Sequence, residues 1–177
     1  VDNYQKNNFK GAISSFELVK RYPVDTELSG KAAYWTADAN YQLNKYDDAI
    51  AGYRAFMAMP ATMSPRMRQE AEYNIGYCYV KKGELKEDGS GDASKAIEAF
   101  RSYLQSNPTN LEKKSDAYMR IADANFITKK NEEAAKNYLE VINLKSGFED
   151  QALYYLSRTY GFMSRTNDRI TKLLELI

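Results

Sequence analysis

The chain has 177 residues, enough for one buried core or for a short array of repeats that cover one another. Its 25 basic and 24 acidic side chains nearly cancel, so no overall charge attracts it to nucleic acid or to an anionic membrane. The absence of histidine excludes histidine-dependent catalysis and histidine-ligated zinc, and 9 glycines and 4 prolines are too few for an all-β chain.

Apolar residues three and four positions apart predict helices along the whole chain, beginning with the stripe of Ala12, Phe16 and Val19. The spacing predicts a lone second helix at 8–22, followed by helix pairs at 28–59, 66–106, 112–144 and 148–176. The apolar runs are only a few residues long, far short of the roughly 20 that cross a bilayer, so we expect no membrane insertion.

An alanine followed four residues later by an aromatic residue recurs in the predicted second helices. The pairs are Ala12 and Phe16, Ala49 and Tyr53, Ala96 and Phe100, and Ala134 and Tyr138. Successive alanines are 37, 47 and 38 residues apart, and the long interval contains an insertion at 84–92. Without that insertion, one period of about 38 residues runs through the chain, which indicates a repeat protein.

Each predicted first helix carries one small residue among aromatic neighbours: Ala37, Gly76, Ala122 and Ser157. Helices that cross closely leave no room for a large side chain, so we expect these residues and the repeated alanines at the crossings. Helix ends are predicted where proline follows a second helix, at Pro23, Pro60 and Pro108. Tight turns between paired helices are predicted at 44–45, 82–83 and 130–131.

Residues 31–50, KAAYWTADANYQLNKYDDAI, resemble the tetratricopeptide repeat, and 73–79 (YNIGYCY) and 118–126 (YMRIADANF) repeat the first helix of that pattern. The resemblance implies an all-α fold, a right-handed α-α superhelix of antiparallel helix pairs. It divides 1–177 into a single array with a half repeat at 8–23 and repeats at 28–60, 66–108, 112–145 and 148–177. Because the chain begins and ends within this pattern, we expect a longer parent repeat protein.

A narrower resemblance is to the tetratricopeptide proteins of bacterial envelopes, the Tol-Pal accessory proteins and outer-membrane assembly lipoproteins. It rests on Tyr34-Trp35, the slightly long period and the helix endings at 21–23 and 106–108. It implies a periplasmic or outer-membrane-associated location.

In this family the first helices line a concave groove, and the exposed positions lie three before and one after the small packing residue. Carried over residue by residue, the resemblance predicts a groove that is rich in tyrosine and binds a peptide or protein. Its predicted residues are Tyr34, Asp38, Tyr41, Tyr73, Tyr77, Met119, Asp123, Phe126, Tyr154 and Arg158, with Phe162 nearby. The last repeat departs from the pattern because Arg169 stands where the second helix should carry alanine.

Nothing in the chain forms a recognisable catalytic set, so we predict no enzyme activity, no cofactor and no metal. Cys78 lies in a helix between two tyrosines and is predicted to be structural. Three acids in the insertion, Glu87, Asp88 and Asp92, miss the spacing of a calcium loop and are interpreted as a solvated loop. The acid pairs at 47–48 and 132–133 lie at the start of second helices, where the positive end of the helix dipole stabilises negative side chains.

The leading functional hypothesis is a non-catalytic scaffold that binds a protein or peptide in the groove, in the cell envelope. Two alternatives stay open: an array that binds a small ligand or solute, and a structural spacer in a larger protein. The apolar stripe that ends the chain, from Ile170 to Ile177, would also allow self-association.

Overall fold

A computed structural model describes residues 2–21, 25–59, 64–84 and 92–175. Those residues form ten helices and no strands, which confirms the all-α prediction. The helices are α1 (Asp2–Gln5), α2 (Phe9–Arg21), α3 (Thr26–Gln42), α4 (Tyr46–Met57), α5 (Pro65–Glu84), α6 (Ala93–Gln105), α7 (Leu111–Ile127), α8 (Asn131–Leu144), α9 (Glu149–Phe162) and α10 (Thr166–Leu174). Pro23, Pro60, residues 85–91 of the insertion and the last two residues of the chain lie outside the described residues.

The same tight turn connects the two helices within each of four pairs, α1–α2, α3–α4, α7–α8 and α9–α10. Its left-handed residue is Asn7, Asn44, Lys129 or Ser164, with φ of 58° or 59°. The following N–H donates to the carbonyl five residues back, for example from Lys45 to Asn40 at 2.9 Å, which satisfies a carbonyl at the end of the first helix. Because the first of these turns joins α1 to α2, the helix predicted to be lone is the second member of a pair.

One predicted turn is wrong, because residues 82–83 lie inside α5. Glycine is tolerated in a helix at a cost of roughly 1 kcal/mol, and α5 continues through Gly83 to Glu84. Two first helices, α3 and α7, begin at a residue whose side chain caps the helix N-terminus. Asp25 accepts from the N–H groups of Glu27 and Leu28 at 2.8 and 3.1 Å, and Asn110 accepts from that of Lys113 at 2.9 Å.

The chain forms two compact units, Val1–Lys82 and Gly83–Ile177, called here the N-terminal and C-terminal units. In the N-terminal unit, Ala12 and Phe16 of α2 pack with Ala32 of α3. The α3–α4 pair is closely packed: Ala49 is fully buried, and a β-carbon added at Gly52 would lie 2.8 Å from that of Ala37. Small residues at this crossing therefore let the two backbones approach.

In the C-terminal unit, one core cluster joins α7, α8 and α9. It contains Met119, Ala122, Ala134, Ala135, Tyr138, Val141, Ala152, Leu156 and Tyr160. The small residues predicted at the crossings are buried in both units: Ala37, Ala49, Gly76, Ala96, Ala122, Ala134 and Ser157. The repeated aromatics Phe16, Tyr53, Phe100 and Tyr138 are buried as well, so the sequence repeat is a repeat of packing positions.

No helix in the described part of the chain is both long enough and apolar enough to span a membrane.

Candidate functional site

Tyr34, predicted to face the groove, belongs to the core of the N-terminal unit and is only 7% exposed. Its ring lies 5.5 Å from those of both Tyr53 and Phe56 of α4, and its hydroxyl accepts a hydrogen bond from Asn74 at 3.3 Å. The predicted exposure of Tyr34 is therefore wrong, because its ring reaches across to α4 and fills the space that the small crossing residues leave.

Asp38 also serves the interior of the N-terminal unit. It accepts hydrogen bonds from the hydroxyl of Tyr53, at 2.9 Å, and from that of Tyr4. Burial raises the pKa of Tyr53 above its ordinary value, and the negative charge of Asp38 raises it further, so the phenol stays a donor. Both oxygens of this half-buried carboxylate are thus engaged within the unit.

The other predicted groove residues of the N-terminal unit are half-buried tyrosines. Tyr41 packs edge-to-face on Tyr46 across the α3–α4 turn, with ring centroids 5.7 Å apart. Tyr73 and Tyr77, one turn apart on α5, have centroids 5.1 Å apart. Each of these three residues is partly exposed, so they keep a predicted role in binding.

In the C-terminal unit, Met119 and Asp123 repeat the internal roles of Tyr34 and Asp38. Met119 is 1% exposed, so its predicted place in the groove is also wrong, because it fills the cluster between α7, α8 and α9. Asp123 accepts from the Tyr138 hydroxyl at 2.8 Å and pairs with Arg120 at 3.0 Å. Burial raises the pKa of the Asp123 carboxyl, although Arg120 and the Tyr138 hydrogen bond act in the opposite direction.

The structure brings the remaining three predicted residues together on α7 and α9. The guanidinium of Arg158 lies 6.0 Å from the ring centroid of Phe126 and 5.8 Å from that of Tyr154. Phe126 in turn packs edge-to-face on Phe162 at 5.3 Å. Tyr154 and Phe162 are 49% and 67% exposed, so these four residues, called here the aromatic patch, form a surface of large rings around one cation.

A cavity of about 350 Å³ borders the aromatic patch. It is lined by Arg158, Gly161 and Phe162 of α9 and by Arg169 of α10, and is called here the arginine cavity. A β-carbon at Gly161 would lie 3.4 Å from Cδ of Arg169, so the absent side chain leaves room for the arginine stem.

The sequence carries two signals for the arginine cavity. Arg169, five residues after the left-handed turn residue Ser164, occupies the position of Ala49 in the α3–α4 pair and was recognised as a departure. Gly161 was missed: it lies three residues before the turn, where α3 carries Tyr41 and α7 carries Phe126. Two departures from one repeat therefore create the cavity.

The described residues offer little for metal binding or for a reactive thiol. They contain no group of three or more Cys, Asp or Glu side chains placed to hold a metal ion. Cys78 is fully buried, and burial raises the pKa of its thiol to about 12, so it stays protonated as a packing residue.

Comparisons with known proteins agree with this architecture. A sequence model of the family described as "Tetratricopeptide repeat" matches residues 2–62 and 86–147, more than half of the chain. A search of curated proteins gives no match.

Solved structures show the same fold at low sequence identity. One is the crystal structure of MamA, with 18% identity and a TM-score of 0.74 over 99% of this chain and 90% of that one. Another is TTC0263, a thermophilic TPR protein in Thermus thermophilus, with 18% identity and a TM-score of 0.56 over 99% and 85%. The apo form of RapI gives 12% identity and 0.68 over 98% of this chain and 49% of that one. At these identities the likeness concerns the fold alone.

Proposed function

Because the chain belongs to the tetratricopeptide repeat family, we propose that it is a non-catalytic scaffold that binds a protein or peptide through the aromatic patch of its C-terminal unit. The observation that carries the proposal is the patch itself, in which Arg158 lies over Phe126 and Tyr154 and the exposed Phe162 packs on Phe126. Aromatic residues and arginine are enriched in the cores of interfaces, and tyrosine and arginine are also frequent among the residues that dominate binding energy.

The proposed surface is narrower than the groove expected from the repeat pattern. Tyr34 and Met119 are core residues, and Asp38 and Asp123 are held by buried tyrosine hydroxyls. Within the N-terminal unit, the half-buried Tyr41, Tyr73 and Tyr77 remain proposed contacts. Tyrosine suits such contacts because a rigid ring loses little conformational entropy when a partner binds.

One finer proposal rests on the resemblance of the sequence. A location in the cell envelope rests on Tyr34-Trp35 and the helix endings at 21–23 and 106–108. Cell fractionation with an antibody against this chain tests this proposal, since it reports the compartment.

Affinity capture with the purified chain tests the scaffold proposal. The Tyr154→Ala/Phe162→Ala variant removes two exposed rings and leaves the half-buried Phe126 in place. Its matched control is Leu18→Ala/Leu111→Ala, which removes two other exposed large side chains. We expect the wild type and the control to retain the same partner and the patch variant to lose it, with unchanged helical circular dichroism in all three.

Equal capture by all three proteins would contradict the aromatic patch as the binding surface. If none of the three captured a partner, the spacer hypothesis would be favoured instead.

A further inference from the structure

We propose that the arginine cavity is a subsite for an acidic peptide segment, in which a carboxylate side chain binds Arg158 and Arg169 while a neighbouring apolar side chain packs on Phe162. This inference rests on the proposed binding function and adds the chemistry of the partner.

The first step is that Arg169 is poorly suited to a packing role. The corresponding residues Ala12, Ala49, Ala96 and Ala134 are all 0% or 1% exposed and allow two helices to meet. Arg169 is exposed, and its stem extends over Gly161 instead of filling a crossing. An arginine at this position leaves the cavity open and places a guanidinium at its wall.

The second step is that neither cavity arginine has a carboxylate partner among the described residues. Two other arginines of the same unit are paired: Arg120 with Asp116 and Asp123, at 3.3 and 3.0 Å, and Arg165 with Asp168 at 2.7 Å. Arg158 instead lies over aromatic rings, which hold its guanidinium beside the cavity. Two cations that the described part of the chain leaves unneutralised therefore line one small space.

The third step concerns the chemistry of the ligand. A planar guanidinium binds a carboxylate through two parallel hydrogen bonds, and two such groups favour an anion strongly. Phe162, 67% exposed, adds an apolar wall that a free inorganic anion would not use. A volume of about 350 Å³ is at the small end of ligand pockets, which suits one or two side chains of a peptide.

The fourth step is that any attraction of an acidic peptide must come from the two arginines rather than from the net charge of the chain. The whole chain has a formal net charge of only +1, so a general positive field does not explain binding of acidic molecules. Specific binding at this cavity would depend on these two arginines, whereas nonspecific binding would follow net charge.

Fluorescence anisotropy with three labelled peptides tests the proposal on the full chain. The first peptide alternates glutamate with phenylalanine and leucine, the second has glutamine for each glutamate, and the third has phosphoserine for each glutamate. We expect saturable binding of the glutamate peptide and a loss of about tenfold in affinity for the glutamine peptide, the size expected for charged hydrogen bonds.

The variants separate the cavity from net charge. Arg169→Ala restores the residue found in the other second helices and should fold, and we expect it to weaken the glutamate peptide by about tenfold. Arg101→Gln removes one charge from an exposed position on α6 and should leave affinity unchanged. Gly161→Leu fills the cavity without a change in charge and should weaken binding as well.

Equal affinity for the glutamate and glutamine peptides, or an equal effect of Arg169→Ala and Arg101→Gln, would overturn the subsite. So would the absence of saturable binding, or a phosphoserine peptide that binds more than tenfold tighter than the glutamate peptide. If Arg169→Ala changed nothing while Tyr154→Ala/Phe162→Ala abolished partner capture, the scaffold proposal would stand and the acidic subsite alone would fail.

Discussion

The α3–α4 and α9–α10 pairs have the same turn and the same repeat register but pack differently. The helices of α3–α4 are in close contact, called here the closed pair, whereas α9–α10 has a cavity beside its helices and is called the open pair. In the closed pair, Ala49 is fully buried and Gly52 lies against Ala37. In the open pair, Arg169 takes the place of the alanine, Gly161 lies opposite it, and a cavity of about 350 Å³ remains. Arg169 and Gly161, one on each helix, thus distinguish the open pair from the closed one.

The same contrast holds three residues before each small crossing residue. Tyr34 and Met119 at this position are 7% and 1% exposed, whereas Tyr154 in the open pair is 49% exposed. Equivalent repeat positions therefore need not be equivalent in function, because the neighbouring packing determines which side chains a partner can reach.

The largest effect on stability is expected when Ala49 of the closed pair is replaced by arginine, the residue at the equivalent position of the open pair. Ala49→Arg places a charged side chain at a fully buried crossing, and we expect it to lower the free energy of unfolding by more than about 3 kcal/mol. Urea denaturation followed by circular dichroism measures this variant and its control in the C-terminal unit alike, and the fluorescence of Trp35, the one tryptophan, reports separately on the N-terminal unit.

The reciprocal change is the control for Ala49→Arg. Arg169→Ala should change the free energy of unfolding by no more than about 0.5 kcal/mol, since an exposed arginine is replaced by the best helix former. A comparable loss in both variants would contradict the distinction between closed and open pairs.

A smaller effect is expected from the tyrosine hydroxyls that hold the two internal aspartates. Tyr53 donates to Asp38 and accepts from Asn74 at 3.0 Å, whereas Tyr138 donates to Asp123, which Arg120 also pairs. We expect Tyr53→Phe to cost about 2 kcal/mol and Tyr138→Phe about 1 kcal/mol in unfolding free energy.

Urea denaturation followed by circular dichroism measures both tyrosine variants. Tyr46→Phe, which removes an exposed hydrogen bond to Asn44 at 2.8 Å, is the matched control and should be nearly neutral. A loss in Tyr138→Phe greater than that in Tyr53→Phe would contradict the ranking.

Much of the fold follows from the sequence because helix pairs depend on local patterns. The period of Ala12, Ala49, Ala96 and Ala134, together with the helical spacing, places the helices after α1 within a few residues of their observed bounds, whereas α1 was not predicted. Gly83 was misinterpreted as a turn because a glycine inside a helix and one that ends a helix look alike locally.

The candidate site was less predictable, because exposure depends on contacts between helices. Tyr34 and Met119 hold positions that family resemblance assigns to a groove, but their side chains fill neighbouring space. The association of Asp38 with Tyr53, 15 residues away, is likewise invisible until both helices are placed. Arg169 was visible as an exception to the repeat, while its relation to Gly161 required the structure.

A modest effect is expected when alanine replaces glycine in each pair. At Gly52 the new methyl would meet Ala37 Cβ at 2.8 Å and Cα at 3.2 Å, so overpacking outweighs the gain in helix propensity, for a net loss of about 1 kcal/mol. At Gly161 the three atoms nearest to the new methyl all belong to the flexible Arg169 side chain, at 3.4 Å or more, and a gain of about 0.5 kcal/mol follows. Urea midpoints that shift in the same direction would contradict the comparison.

The smallest effect concerns pH and the buried Asp123. Because burial raises its folded-state pKa above the ordinary value of 3.8, the folded protein binds this proton more tightly than the unfolded chain does. The stabilising contribution is therefore complete below about pH 3.8 and is lost as the pH rises through the raised pKa. Asp123→Asn, which cannot ionise, should remove this part of the pH dependence, whereas Glu112→Gln, at an exposed position of the same helix, should retain it. Urea denaturation of both variants across that interval measures the difference, and an unchanged pH dependence in Asp123→Asn would show that this carboxylate is as well stabilised in the fold as in water.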